Sequence, residues 1–263
     1  MRPILSLAAW NWRMARRPYG ILCAVFAVQQ LAVLLFQTQV PDQRGAGLAY
    51  YYEAGWQFEL FLAFFLLAGL LAGPAINDQK RAKCSYTWLT MPLSPAARLA
   101  GQVMTAAVLQ LGFVALQLVL YVLYFFPVQV MENAVVMQQT GQQIPPTTLY
   151  EQLIMNRGFY WLIPRRPEHT AMLVFTLLAA ALLLTAVRLH KGWRRAVAFL
   201  IGVVCGGACM VILQVEQLQA QHDEAFLEGV IRPSIPPFLA LLAVLLVFSV
   251  WWALRAIRRA ETA

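Results

Sequence analysis

Three glutamines interrupt one long apolar run. Gln102, Gln110 and Gln117 lie within residues 96–126 and are the main polar side chains inside that run. A buried amide has to find hydrogen-bond partners. The three side chains therefore have two readings: hydrogen bonds to neighbouring helices, or a polar lining for a molecule that passes between helices. Bond-making chemistry has no comparable equipment. H-E-x-x-H, G-x-S-x-G and G-x-x-x-x-G-K-[ST] are all absent, which argues against zinc hydrolysis, acyl transfer and nucleotide hydrolysis by this chain. His169, His190 and His222 lie in separate polar stretches that do not converge on one metal. His222-Asp223-Glu224 reads as a solvated face. Cys205 and Cys209 share a helical face inside an apolar run, where cysteine packs as a small hydrophobe. The chain reads as a non-enzyme with no bound metal or cofactor.

A second set of residues is suited to gripping a partner. Asp78–Gln102 is the one sizeable polar and basic segment between the long apolar runs of the first half. It carries Lys80, Arg81, Lys83 and Arg98, with Tyr86 and Trp88 among them and a corner at Pro92–Pro95. Aromatic side chains interleaved with cations fit either a protein groove or the headgroup layer of a membrane.

The elements that must position these residues are membrane helices. Of 263 residues 60% are hydrophobic and 12% charged, about half the charged fraction of a soluble domain; the mean hydropathy is +0.62. Apolar runs of such length predict an all-α protein, because a barrel strand would alternate over about ten residues. Six spans are expected, at about 21–40, 58–76, 96–126, 171–187, 196–213 and 238–254. Residues 2–17 read as an amphipathic interfacial helix, with Arg13, Arg16 and Arg17 toward anionic lipid. Pro18 and Gly20 are expected to turn the chain, 41–56 to form a loop, and Pro74 to kink span two. Ser94 is expected to cap span three, and Thr148-x-x-Glu151 is a capping box.

The formal net charge of +8 does not point to nucleic acid, because the basic residues collect at the ends of apolar runs. Fifteen of the 20 flank spans on one side, including Arg2, Lys80, Arg188 and Arg258, while most acids, including Asp42, Glu132, Glu151 and Glu224, fall on the other. The positive-inside rule then puts both termini and loop 77–95 in the cytoplasm, and 127–169 and 214–237 outside. The span interiors hold no ionisable side chain. Ion-coupled carriers keep such groups, so uphill transport would need energy from outside the membrane. Gly69-x-x-x-Gly73 and Gly202-x-x-x-Gly206 allow close helix packing.

Leu89-Thr90-Met91-Pro92-Leu93-Ser94, set between spans two and three behind a basic lead and a short aromatic stretch, resembles the cytoplasmic loop of ABC-2 type transporter permeases. The pattern is specific only over residues 79–102, and it departs at Gln79, where that family has an acidic residue, and at Lys83 or Cys84, depending on a one-residue shift, where it has a glycine. The resemblance implies a bacterial plasma-membrane export subunit that pairs with a second permease chain and docks a separate ATP-binding subunit, which would hold the ATP and Mg. It implies that Tyr86, Trp88, Leu89, Met91 and Pro92 form the coupling surface. The alternative is a non-transport assembly or sensor protein that binds partners through its outer segments.

Overall fold

Helix α1 (Arg2–Gln37) runs unbroken for 36 residues. The turn expected at Pro18 and Gly20 is absent, so the segments over 2–17 and 21–40 are one element. The reason is a single buried stripe. Leu7, Ala8, Asn11, Ala15, Phe26, Gln30 and Leu34 are buried, with Tyr19, Leu22 and Cys23 half-buried between them. That helical period survives only if the helix does. Pro18 falls on the exposed side with Arg13, Arg16 and Arg17. A proline inside a helix deletes one backbone hydrogen bond, and apolar helices tolerate it where other groups take up the freed carbonyl.

The segment expected as a loop over 41–56 contains α2 (Leu48–Ala54), which meets α3 (Gln57–Leu70) at a 68° bend. Trp56 adopts left-handed backbone geometry, φ 53°. A Cβ on Gly55 would sit 2.6 Å from Val33 Cγ1 and 3.0 Å from the Tyr51 carbonyl oxygen, so the inside of the bend has room only for glycine. Tyr51 and Tyr52, expected at the membrane interface, are buried instead.

Helix α4 (Pro95–Thr140) begins where expected: Ser94 Oγ accepts the Ala97 N–H at 3.3 Å, and Pro95 occupies the first turn. It does not end near residue 126. It continues through exposed Pro127 and stops at Gly141, whose φ of 65° and N–H bond to the Met137 carbonyl make a left-handed cap. Residues 127–140 are therefore helix and not loop. Its 46 residues span roughly 69 Å at about 1.5 Å per residue, more than twice a hydrocarbon core of about 30 Å. Helices α5 (Pro167–Leu189) and α6 (Ile235–Glu261) overrun the expected spans at both ends.

The computed structural model describes residues 2–40, 47–72, 93–141, 148, 149, 151, 152, 167–189, 193, 196, 197, 200 and 235–261. Among these every regular element is α-helix. Pro74, most of the fifth span and the segment 214–234 lie outside the described residues. The chain divides into two compact units.

The first unit comprises residues 1–20, 66–111 and 165–263. Leu7, Leu99, Ala186, Ala253 and Ile257 form one buried cluster; Leu93 and Trp10 pack on it. Ala15, Ala72, Ala106, Leu109 and Ala181 form another. In both, α1 and α4 run in the same direction and α5 runs opposite to them. Small side chains let these backbones approach: a Cβ on Gly101 would lie 2.8 Å from Leu7 Cδ2. Where lipid removes the hydrophobic drive between helices, such close contact supplies the attraction.

The second unit comprises residues 21–65 and 112–164. Its centre is four rings from α1, α3 and α4. Phe113 lies 4.6 Å from Phe26, 5.8 Å from Phe61 and 6.4 Å from Phe64, centroid to centroid. Gln152 ties the short 148–152 segment to α2: its Oε1 accepts the Ala49 N–H at 3.0 Å, satisfying one of the orphan donors at that helix start. Its carbonyl accepts the Tyr121 hydroxyl at 3.1 Å.

The capping box is formed. Glu151 Oε2 accepts the Thr148 N–H at 2.8 Å, and the Glu151 N–H donates to Thr148 Oγ1 at 3.2 Å. Hydrogen bonding to the carboxylate from the Thr148 backbone N–H, and then from the Thr148 side chain, favours the charged form and lowers the Glu151 pKa. A depressed carboxyl pKa stabilises the fold above the unfolded-state value and loses that effect as pH falls through the folded value. Hydrogen exchange at the Thr148 amide, corrected for its intrinsic pH dependence, should therefore accelerate on acidification. Glu151→Gln should remove that response. An identical pH profile in the variant would show that the carboxylate does not hold the box.

Candidate functional site

Glutamine is a good helix former, so α4 carries its amides without local distortion. All three fall on its inner face: Gln110 and Gln117 are fully buried, and Gln102 is 6% exposed. Their partners divide them.

Gln117, in the second unit, is committed to packing. Gln30 Nε2 donates to Gln117 Oε1 at 2.6 Å, and the Tyr52 hydroxyl donates to Gln30 Oε1 at 3.2 Å. Gln29 Nε2 donates to Gln57 Oε1 at 3.4 Å beside them, and the Tyr124 hydroxyl bonds the Ala27 carbonyl at 3.0 Å. These are the interhelical bonds expected of buried amides, each contributing about 0.6 kcal/mol and at most about 1.7 in membrane helices.

Gln110, in the first unit, has no such partner among the described residues. Both atoms of its amide are buried and unbonded. It lies against Gly69 and Leu184: a Cβ on Gly69 would sit 2.7 Å from Gln110 Nε2 and 2.5 Å from Leu184 Cδ1. Gly69 thus makes its close approach within the same chain. Asn11, fully buried on α1, is in the same condition, with both Oδ1 and Nδ2 unbonded. The hydroxyls of Thr105 and Thr185 donate to carbonyls one turn back, Gly101 at 2.8 Å and Ala181 at 2.7 Å, and Thr105 Oγ1 also lies 3.5 Å from the Ala8 carbonyl of α1. A buried polar group without a partner costs about 1–3 kcal/mol, so Asn11 and Gln110 have unused capacity for hydrogen bonds. The chemistry on offer is neutral. An amide donates and accepts but transfers no proton. Among the described residues no group of three or more His, Cys, Asp or Glu side chains could hold a metal.

Arg98, expected to face the cytoplasm, is buried in the first turn of α4. Tyr86, Trp88, Leu89, Met91 and Pro92, and the glycines Gly73, Gly202 and Gly206, lie outside the described residues. Sequence reasoning missed Asn11, which interrupts the apolar sector of the first helix; that interruption was the available signal.

Two helices among the described residues, Ile4–Gln37 and Pro95–Val135, are long and apolar enough to cross a bilayer, and the bent pair α2–α3 makes a third if it counts as one span. By these helices the chain is a membrane protein, all-helical among the described residues. Compared with known proteins, it matches no family model, no curated sequence and no solved structure.

Proposed function

We propose that the chain is the permease subunit of an ATP-driven bacterial exporter, crossing the plasma membrane six times with both termini in the cytoplasm. A separate ATP-binding subunit docks on loop 77–95 and supplies the energy, and a second permease chain completes the pathway. The observation that carries this reading is Gln110, a fully buried amide with neither atom bonded. Its spare hydrogen bonds suit passing cargo with polar groups. The interiors of the six expected spans hold no Asp, Glu, Lys, Arg or His, so coupling to an ion gradient has no evident carrier and the energy enters elsewhere.

Two further features support the loop as that entry. Leu93, the last residue before the Ser94 cap, packs on the cluster of Leu7, Leu99, Ala186, Ala253 and Ile257. Force on the loop would reach the starts of α1 and α4 and the ends of α5 and α6 together. The same cluster joins residues close to both termini, as an even number of crossings requires. The resemblance of residues 89–94 to the ABC-2 loop supplies the class of motor.

Affinity purification of the tagged chain from its native host, with the co-purifying ATPase measured, tests this. Tyr86→Ala with Trp88→Ala should reduce recovered ATPase at least tenfold, since buried aromatic anchors each contribute about 2 kcal/mol or more. The chain's own unfolding midpoint should not move. Undiminished recovery and transport in the double variant would overturn the docking assignment.

A further inference from the structure

We propose that Arg13, Arg16 and Arg17 on α1 form a binding site for the phosphate of an anionic phospholipid. The inference is independent of the exporter reading. All three side chains are exposed, and none has an ion-pair partner among the described residues. Their i, i+3, i+4 spacing puts them side by side on one turn of helix, where guanidinium forks grip phosphate oxygens in bidentate fashion. Arg255, also exposed, is differently engaged, with its guanidinium 5.3 Å over the Trp251 ring.

Two observations favour headgroup depth for the cluster. First, α1 does not turn at Pro18. The arginines therefore stand in line with the apolar run that starts at Ile21, about 6 Å beyond Arg17 at roughly 1.5 Å per residue. Second, Trp12 and Tyr19 bracket the cluster. Their rings lie 6.0 Å apart, and the Tyr19 hydroxyl is bonded to the Leu109 carbonyl at 3.0 Å, which pins the pair to α4. Tryptophan and tyrosine mark the headgroup level of a bilayer. Gly20 adds open space next to the cluster, with nothing within 4 Å of where a Cβ would be. Three unpaired cations at headgroup depth call for an anion there, and an anionic lipid is the one always present.

The test is native mass spectrometry of the full-length protein in detergent, titrated with phosphatidylglycerol or phosphatidylcholine. The wild type should retain phosphatidylglycerol roughly 10- to 100-fold better, from about 1 kcal/mol per basic residue near a charged surface, and raised salt should weaken that preference. R13Q/R16Q/R17Q should bring the ratio close to one. R13K/R16K/R17K, which keeps the charge, should retain part of the preference, and R255Q all of it. Equal retention of the two lipids by the wild type would overturn the proposal, as when the arginines serve an acidic protein partner instead. So would an unchanged preference in the triple glutamine variant, or a loss as large in R255Q.

Discussion

Phe113→Ala is expected to destabilise the protein by about 3–5 kcal/mol, the range for truncating a fully buried phenylalanine. Phe113 is wholly inaccessible and touches rings from two other helices: Phe26 of α1 at 4.6 Å, and Phe61 and Phe64 of α3 at 5.8 and 6.4 Å. Removing it opens a cavity among three helices at once. In a bilayer the loss is of van der Waals contact rather than of shelter from water, so the cavity itself carries most of the cost. Unfolding in mixed micelles by a titrated denaturing detergent would measure it. Phe126→Ala is the control: Phe126 is 60% exposed on the same helix, and its truncation should change stability by no more than about 0.5 kcal/mol. The pair Phe26–Phe113 should also show coupling of about 0.5–1.5 kcal/mol in a double-mutant cycle. Equal effects at positions 113 and 126 would mean that the ring cluster does not hold α1, α3 and α4 together.

What could be read in advance follows the range of the interaction. The first, third, fourth and sixth apolar runs, the Ser94 cap and the Thr148–Glu151 box are local, and each appears among the described residues. The misjudged boundaries turned on information the local pattern lacks. Pro18 looked like a break, but its effect depends on which face it occupies, and that face is set by the buried stripe from Leu7 to Leu34. The expected end of span three followed the change to polar composition after residue 126, whereas the helix runs on to the left-handed cap at Gly141. The Gly55–Trp56 bend depends on contact with Val33 of another helix. The amides divide the same way. Their presence in the third apolar run was legible. Which of them is occupied was not, because the Gln117 partner is 87 residues away on α1 and Gln152 reaches Ala49 across 103 residues.

The separation of packing from function at the amides gives the second large effect. Gln110→Met keeps side-chain length and removes two buried polar atoms that have no partner. Each unbonded group costs about 1–3 kcal/mol where it stands, so the variant should be at least as stable as the wild type, gaining about 1 kcal/mol or more. Methionine adapts to irregular space, and the surroundings, Gly69 and Leu184, are apolar. Gln117→Met should do the reverse. It strands Gln30 Nε2, now bonded at 2.6 Å, and removes only one atom without a partner, Gln117 Nε2, so it should gain nothing and cost up to about 1 kcal/mol, within the range for membrane amide bonds. If Gln110 meets cargo, transport in reconstituted vesicles should fall at least tenfold in Gln110→Met, as expected when a hydrogen bond of roughly 1.4 kcal/mol to the passing molecule is lost, although the protein itself is more stable. Gain of stability with loss of transport is the signature of a residue kept for its ligand. Loss of both would make Gln110 a packing residue like Gln117, and unchanged transport would remove it from the path.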